Sequence, residues 1–340
     1  MMKKRALLIT LLAAIGIPTI AAAADKELNI YSARHYQTDE ALYGEFTRQT
    51  GIKINRIEAK EDELIERIKN EGANSPADIF ITVDASRLGH ADSLGLFAPF
   101  QSDEIDARIP THFRTDTWVA FSTRARVIVY NPELVKAEDV QTYESLADPK
   151  LKDKVCTRTG AHPYNLSLGA AMIHHHGAEK TEEWAKGIVA NFARAPKGGD
   201  TDQIRAVAAG ECGVAIANSY YFARLMNSDR EQDQKVIESV KFVWPNQNSW
   251  GTHVNVSGAG VLKHAPNREA AKKFLEYLAS DDAQRYFADG NNEWPTVPSV
   301  KTDNAALDKL GSFKADNMPV SALAKNVPEA QKIYDRAGYR

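Results

Sequence analysis

The chain has 340 residues, of which 26% are charged, and a formal net charge of −3. A mildly acidic chain without a basic stripe argues against a nucleic-acid role, while leaving a cationic ligand open. The length is long for one domain and natural for two.

The chain opens with Lys3, Lys4 and Arg5, continues in an apolar run over 6–20, and reaches Ala21-Ala22-Ala23-Ala24 before Asp25. A basic head, an apolar stretch and small residues form a cleavable signal peptide over 1–24, which marks the protein for export. The run is shorter than the ~20 residues of a membrane anchor. Cleavage leaves 316 residues and, with three basic residues gone, a charge of about −6. No later stretch is long and apolar enough to span a bilayer, so a soluble mature protein is expected.

From Lys26 onward the pattern alternates. A strand is predicted over 27–31, a helix over 38–50 ending at Gly51, a strand over 52–57, and an amphipathic helix over 61–71 closed by Gly72. A third strand is predicted over 77–83. An extended run over 118–130 follows, then helices over 143–147, 165–174 and 181–190. Next come a strand over 214–217, a helix over 220–226, extended segments over 241–244 and 253–262, and helices over 268–279 and 281–288. Strands alternating with helices imply a helix-flanked α/β sheet. Two such units, with crossings near 121–130 and 251–261, give discontinuous lobes around a hinge, with the ligand between them. The boundaries read as 25–122 with 250–305 for the N-terminal lobe, and 123–249 with 306–340 for the C-terminal lobe.

No Gly-x-Ser-x-Gly elbow, phosphate-binding Gly-rich loop with Lys, or His-Glu-x-x-His helix occurs. The tyrosines carry more information. Tyr220 and Tyr221 follow Asn218-Ser219, either of which suits a helix N-cap. Adjacent side chains on a first helical turn diverge by roughly 100°, so two phenols could meet one small ligand; packing against a core is the alternative. Tyr36, beside His35, lies just past the first strand, where open α/β sheets bind ligands. Tyr164 lies where a helix N-terminus favours negative charge. His174-His175-His176 invites a zinc or nickel reading, but three consecutive residues cannot share one helical face, and before Gly177 they suit a helix C-terminus. Cys156 and Cys212, an even count in an exported chain, suggest one disulfide; two buried thiols are the alternative.

Five blocks in order resemble the bacterial ferric-iron-binding periplasmic proteins. They are Asn29-Ile30-Tyr31-Ser32-Ala33-Arg34-His35-Tyr36, Ser75-Pro76-Ala77-Asp78-Ile79, Thr123-Arg124-Ala125-Arg126-Val127-Ile128-Val129-Tyr130-Asn131, Asn218-Ser219-Tyr220-Tyr221 and Gly251-Thr252-His253-Val254-Asn255-Val256-Ser257-Gly258. The resemblance implies a type II periplasmic binding protein fold, monomeric, delivering Fe(III) as transported ligand to the permease of an ABC transporter in the inner membrane, with neither catalysis nor a catalytic cofactor. In the tyrosine-rich branch the matching ligands are Tyr36, Tyr164, Tyr220 and Tyr221. His35 matches a histidine ligand of related members, and Arg124 an arginine near the site. The chain departs from the histidine-glutamate-tyrosine branch at Val83, where that branch has a glutamate ligand. Asp84, one position on, points the other way in a strand. Asn218 remains from the anion-binding asparagines of that branch, while Asp200 replaces the other, and a carboxylate there repels a phosphate.

Ferric iron is hard and suits oxygen donors. Deprotonating one phenol of pKa ~10 at pH 7 costs about 4 kcal/mol, and four cost about 16, which a trivalent ion at bonding distance can offset and an apolar ligand cannot. Binding then releases protons and weakens in acid. Four phenolates around Fe(III) leave a charge of −1 for Arg124 to balance. The rival readings are a same-fold protein for thiamine, a polyamine or an oxyanion, a secreted hydrolase, and a metal-storage or sensory protein that docks on a receptor.

Overall fold

The computed structural model describes residues 26–340; the signal-peptide reading of 1–24 lies outside the described residues. The N-terminal part runs β1 (Glu27–Ser32), α1 (Asp39–Thr50), β2 (Lys53–Glu58), α2 (Glu61–Glu71), β3 (Ile79–Thr82), α3 (Ala85–Ser93) and α4 (Asp103–Arg108). The central part runs β4 (Trp118–Tyr130), β5 (Val155–Cys156), α5 (Pro163–His176), α6 (Ala178–Ala190), α7 (Asp200–Ala208), β6 (Val214–Asn218), α8 (Ser219–Met226), α9 (Glu231–Ser239) and β7 (Lys241–Val243). The chain ends with β8 (Val254–Val261), α10 (Arg268–Leu278), α11 (Asp281–Asn291), β9 (Trp294–Pro295), α12 (Ala305–Leu310) and α13 (Val320–Ala337).

The alternating pattern produces the expected layers. β1 pairs in parallel with β2 and β3, and parallel neighbours require crossover helices, supplied by α1 and α2. α1 buries Leu42, Tyr43 and Phe46 and stops at Gly51, whose φ of 73° is left-handed and suits glycine. Leu28 and Ile30 pack with Phe46, Phe274 and Phe287 into one core. A second core gathers Ile128, Ile216, Trp184 and Tyr334.

β4 joins the two α/β lobes of this type II periplasmic binding fold. It is buried along its whole length, as a strand covered on both faces must be. Its first part, Trp118 to Ala125, pairs antiparallel with β8, whereas Arg126 to Tyr130 pair with β6 and β7. β8 returns beside β3. The strand order is therefore β2-β1-β3-β8-β4-β6-β5.

Several elements differ from the sequence reading. The segment near 143–147 is a single 3-10 turn, Glu144–Ala147, ahead of Pro149. α3, α4, α7, α9, α12 and α13 have no counterpart in it. α13 packs against α3 as well as α5 and α6, so the C-terminal segment touches both lobes. It contains Pro328, a residue that weakens any helical reading of the pattern. Its approach to α3 is close: a Cβ at Gly89 would lie 2.1 Å from the Ala324 Cβ. Cys156 and Cys212 form a disulfide with their Cα atoms 5.8 Å apart. No helix among the described residues is long and apolar enough to cross a membrane.

Candidate metal centre

Three strand-to-helix junctions deliver the tyrosines. The loop after β1 is pinned by the Ala33 N–H donating to the Ile81 carbonyl at 2.8 Å, and it presents Arg34, His35 and Tyr36. α5 begins at Pro163, whose fixed φ suits a first helical position. The His162 ring accepts the Tyr164 N–H at 3.2 Å and caps the helix. β6 leads directly into α8, placing Tyr220 and Tyr221 on its first turn. Asn218 occupies the N-cap position but makes no capping bond; its side-chain oxygen accepts from Arg126 instead, at 3.0 Å, a charged donor being the stronger partner.

The tyrosines converge. The Tyr164 and Tyr220 hydroxyl oxygens are 3.0 Å apart, and the Tyr220 and Tyr221 rings lie 4.4 Å apart, centroid to centroid. Burial raises the Tyr36 phenol above its ordinary value; the Glu293 charge adds to that, while Arg34 and Arg124 oppose it. Burial likewise raises Tyr164 and Tyr220, and charge on Tyr36 or Tyr221 raises both further. Without a cation all three are neutral phenols. Three donors from separate helices and a loop, each expensive to ionise alone, form a set that only a strongly charged cation can ionise together. The 3.0 Å separation also matches the edge of an octahedron: two oxygens about 2.1 Å from a shared small cation lie about 3.0 Å apart.

Guanidiniums surround this set. The Arg34 guanidinium carbon stands 4.4 Å over the Tyr36 ring, Arg158 stands 5.1 Å over Tyr164, and Arg224 stands 5.6 Å over Tyr221. Arg124 is buried and donates to the Ser257 hydroxyl at 3.0 Å. Fixed positive charge near a phenol favours its ionised form.

The other candidates fall elsewhere. His35 is 48% exposed at its side chain, with Nδ1 3.4 Å from Glu58, so this arrangement does not bring it to the tyrosines. Asp84 lies beyond β3 as the N-cap of α3, accepting from Ser86 N–H at 2.8 Å and taking an N–H from Asn255 at 2.7 Å. Asp200 is fully buried between Arg126 at 2.8 Å and Arg158 at 3.3 Å, so its carboxylate is neutralised from within. His174-His175-His176 ends α5 before Gly177; His175 pairs with Asp316 at 2.9 Å and His176 with Glu144 at 2.6 Å. Among the described residues no group of three or more His, Cys, Asp or Glu is placed to hold a metal ion. A cavity of about 700 Å³ opens between α3, α13 and the turn ahead of α5, yet none of the four tyrosines lines it. Glu293, Arg158 and Arg224 sit close to the tyrosines without any sequence spacing that announces them, whereas Arg34, Arg124 and Arg126 lie inside blocks the resemblance identifies.

The family model for bacterial extracellular solute-binding proteins matches residues 74–317. The chain belongs to that family. This solute-binding protein is 49% identical to iron uptake protein A2 of Synechocystis, over 98% of its own chain and 95% of that one. It is 29% identical to the major ferric iron-binding protein of Neisseria meningitidis serogroup B, over 95% and 96%. A Trichodesmium protein (IdiA, FutA) solved with iron and citrate ligands superposes on the solute-binding protein with a TM-score of 0.88 at 51% identity, covering 92% of this chain and all of that one.

Proposed function

We propose that this protein captures ferric iron in the periplasm through tyrosine phenolates and hands it to the permease of an ABC importer in the inner membrane. The observation that carries the reading is the pair of phenol oxygens 3.0 Å apart at Tyr164 and Tyr220, inside a set completed by Tyr36 and Tyr221. A phenol pair needs a hard, highly charged ion to ionise, and ferric iron is such an ion. The relatives and the solved neighbour, whose names refer to iron uptake, ferric iron binding and bound iron, support the same cargo.

The ligand set is Tyr36 from the N-terminal lobe (25–122 with 250–305) and Tyr164, Tyr220 and Tyr221 from the C-terminal lobe (123–249 with 306–340), with Arg124 balancing charge. His35 is the fifth candidate donor, reaching the ion by turning away from Glu58. The C-terminal lobe takes the ion first, and Tyr36 completes the set as the lobes close about β4 and β8. The protein acts as a monomer and catalyses nothing.

Metal analysis and visible absorption of the iron-loaded protein test this reading. Stoichiometric ferric iron with a broad phenolate-to-iron charge-transfer band is expected. A colourless protein holding ferric iron would remove the tyrosines from the ligand set, and a protein that takes up no iron would remove the cargo.

A further inference from the structure

Two buried, opposite charges beside Tyr36 are incompletely paired. Arg124 is 2% exposed and Glu293 1%. Arg124 Nη1 stands 4.0 Å from Glu293 Oε1, while Arg124 Nη2 and Glu293 Oε1 have no hydrogen-bond partner among the described residues. The other carboxylate oxygen, Oε2, accepts from the Ser122 hydroxyl at 3.0 Å and pairs with Arg34 Nη1 at 2.9 Å. Arg34 is in turn held by Asp39 at 2.6 Å. A buried charged group left short of a partner is costly, and such groups in a folded protein call for a reason beyond folding.

The charges balance. Arg34 and Arg124 supply two positive charges, and Asp39 and Glu293 two negative ones, so this quartet beside Tyr36 is neutral, while Arg158 and Arg224 stand over Tyr164 and Tyr221. We propose that Glu293 sets this background, and that by doing so it makes the site select ferric over ferrous iron. The inference rests on the tyrosines being the ligands.

Four phenolates carry −1 with ferric iron and −2 with ferrous iron. In a buried site the doubly charged complex is the costlier, and it responds more strongly than the singly charged one to any charge added or removed nearby. Without Glu293, Arg124 would contribute an uncompensated positive charge. Coulomb energy scales with the product of charges, so that positive charge would stabilise the ferrous complex twice as strongly as the ferric one. Glu293 withholds that advantage from ferrous iron. Arg34 does not depend on Glu293 for its place, because Asp39 grips it independently.

The test is a spectroelectrochemical titration of the visible band, in which the electrode supplies the one electron that reduces bound Fe(III) to Fe(II). Glu293→Gln is expected to raise the ferrous-to-ferric affinity ratio about tenfold, a positive midpoint shift of about 59 mV for one electron. Glu293→Asp keeps the charge and is expected to stay near the parent. Arg124→Gln leaves the background negative and shifts the midpoint the opposite way, and adding Glu293→Gln to it brings the midpoint back. That second comparison reads the same effect if Glu293→Gln alone does not fold. A midpoint that Glu293→Gln leaves unmoved on either background overturns the role of Glu293. A parent protein without the visible band overturns the tyrosine ligands instead, so the two failures are distinguishable.

Discussion

Tyr164 and Tyr220 lie 56 positions apart in the chain, on the first turns of α5 and α8, and place their hydroxyl oxygens 3.0 Å apart. One hydroxyl must donate to the other, so each is the main polar partner of its neighbour in a buried setting. The same two oxygens, deprotonated, are spaced to share a small cation. On the proposed reading, the metal-free protein holds this geometry as a neutral hydrogen bond, and loading displaces both phenol protons in favour of the ion.

Replacing Tyr220 or Tyr221 by Phe separates a ligand from a packing residue. Phe keeps the ring and removes the oxygen. Were the rings mere packing, stability and iron affinity would both be nearly unchanged. Each change is expected to lower iron affinity by a hundredfold or more in competition with a chelator, while in the metal-free protein Tyr220→Phe costs about 1 kcal/mol, the ordinary worth of its hydrogen bond to Tyr164. Tyr36→Phe is expected to weaken binding less and to speed iron release, because Tyr36 joins on closure. His35→Ala should cost less than any tyrosine change, and His174→Ala nothing. Parent-like affinity in both Tyr220→Phe and Tyr221→Phe would refute the assignment.

Iron binding is expected to depend steeply on pH. Burial holds Tyr36, Tyr164 and Tyr220 above their ordinary values, so each is protonated at neutral pH without iron and must release its proton on loading. Acid therefore favours the metal-free state: apparent affinity should fall about tenfold per pH unit for every proton displaced. The visible band followed down a pH series against a fixed chelator concentration gives the slope. A slope near zero would mean that no phenol ionises on binding.

Much of the fold was legible because its signals are local. The period-2 strands, the glycine stops at Gly51 and Gly72 and the long apolar run of β4 are written in adjacent residues. α13 was not, since Pro328 interrupts its pattern and its partners on α3 and α5 are distant in sequence. The site was legible only in part. Tyr36, Tyr164, Tyr220 and Tyr221 stand out through the resemblance, whereas a lone Tyr-Tyr pair reads as packing. Glu293 was invisible: its meaning comes from Arg34 at 2.9 Å, and no pattern links β1 to the turn after α11. Asp200 was read as a repulsive charge, but the two arginines that neutralise it come from β4 and the segment after β5.

The disulfide is expected to support the fold without touching the site. Cys156 and Cys212 close a loop of 56 residues, worth about 4 kcal/mol in the chain-entropy account. Reduction should lower the thermal midpoint while leaving the visible band of the loaded protein intact. Loss of the band before any unfolding would tie the bridge to the ligands.

Lobe closure is expected to be measurable in solution. With Tyr36 on one side of β4 and three tyrosines on the other, iron should draw the lobes together, reduce the radius of gyration in X-ray scattering, and stabilise the fold by mass action. An unchanged radius at saturation would argue for a rigid site.

The last expectation concerns acid and rests on His253, which is 1% exposed. Its Nε2 lies 2.6 Å from the Ser167 hydroxyl, and that oxygen accepts an N–H from Asn255 at 2.8 Å. The serine hydroxyl can donate its proton to Nε2 while accepting from Asn255, an arrangement that suits a neutral imidazole. Burial, with the charges of Arg126, His175 and Arg124 adding to it, pushes the imidazole down to about 3. An unfolded histidine titrates near 6.5. Between about pH 6.5 and 3 the unfolded chain binds a proton that the folded one refuses, so stability is full above that window and falls as the pH drops through it. At pH 5 the loss from this residue is about 2 kcal/mol. His253→Gln removes the titration and should cost about 1 kcal/mol at pH 7 through the altered hydrogen bond. Urea unfolding of the metal-free protein at pH 7 and pH 5 checks this. The parent should lose about 2 kcal/mol more than the variant between the two conditions, and equal losses would show that His253 does not resist protonation in the folded state.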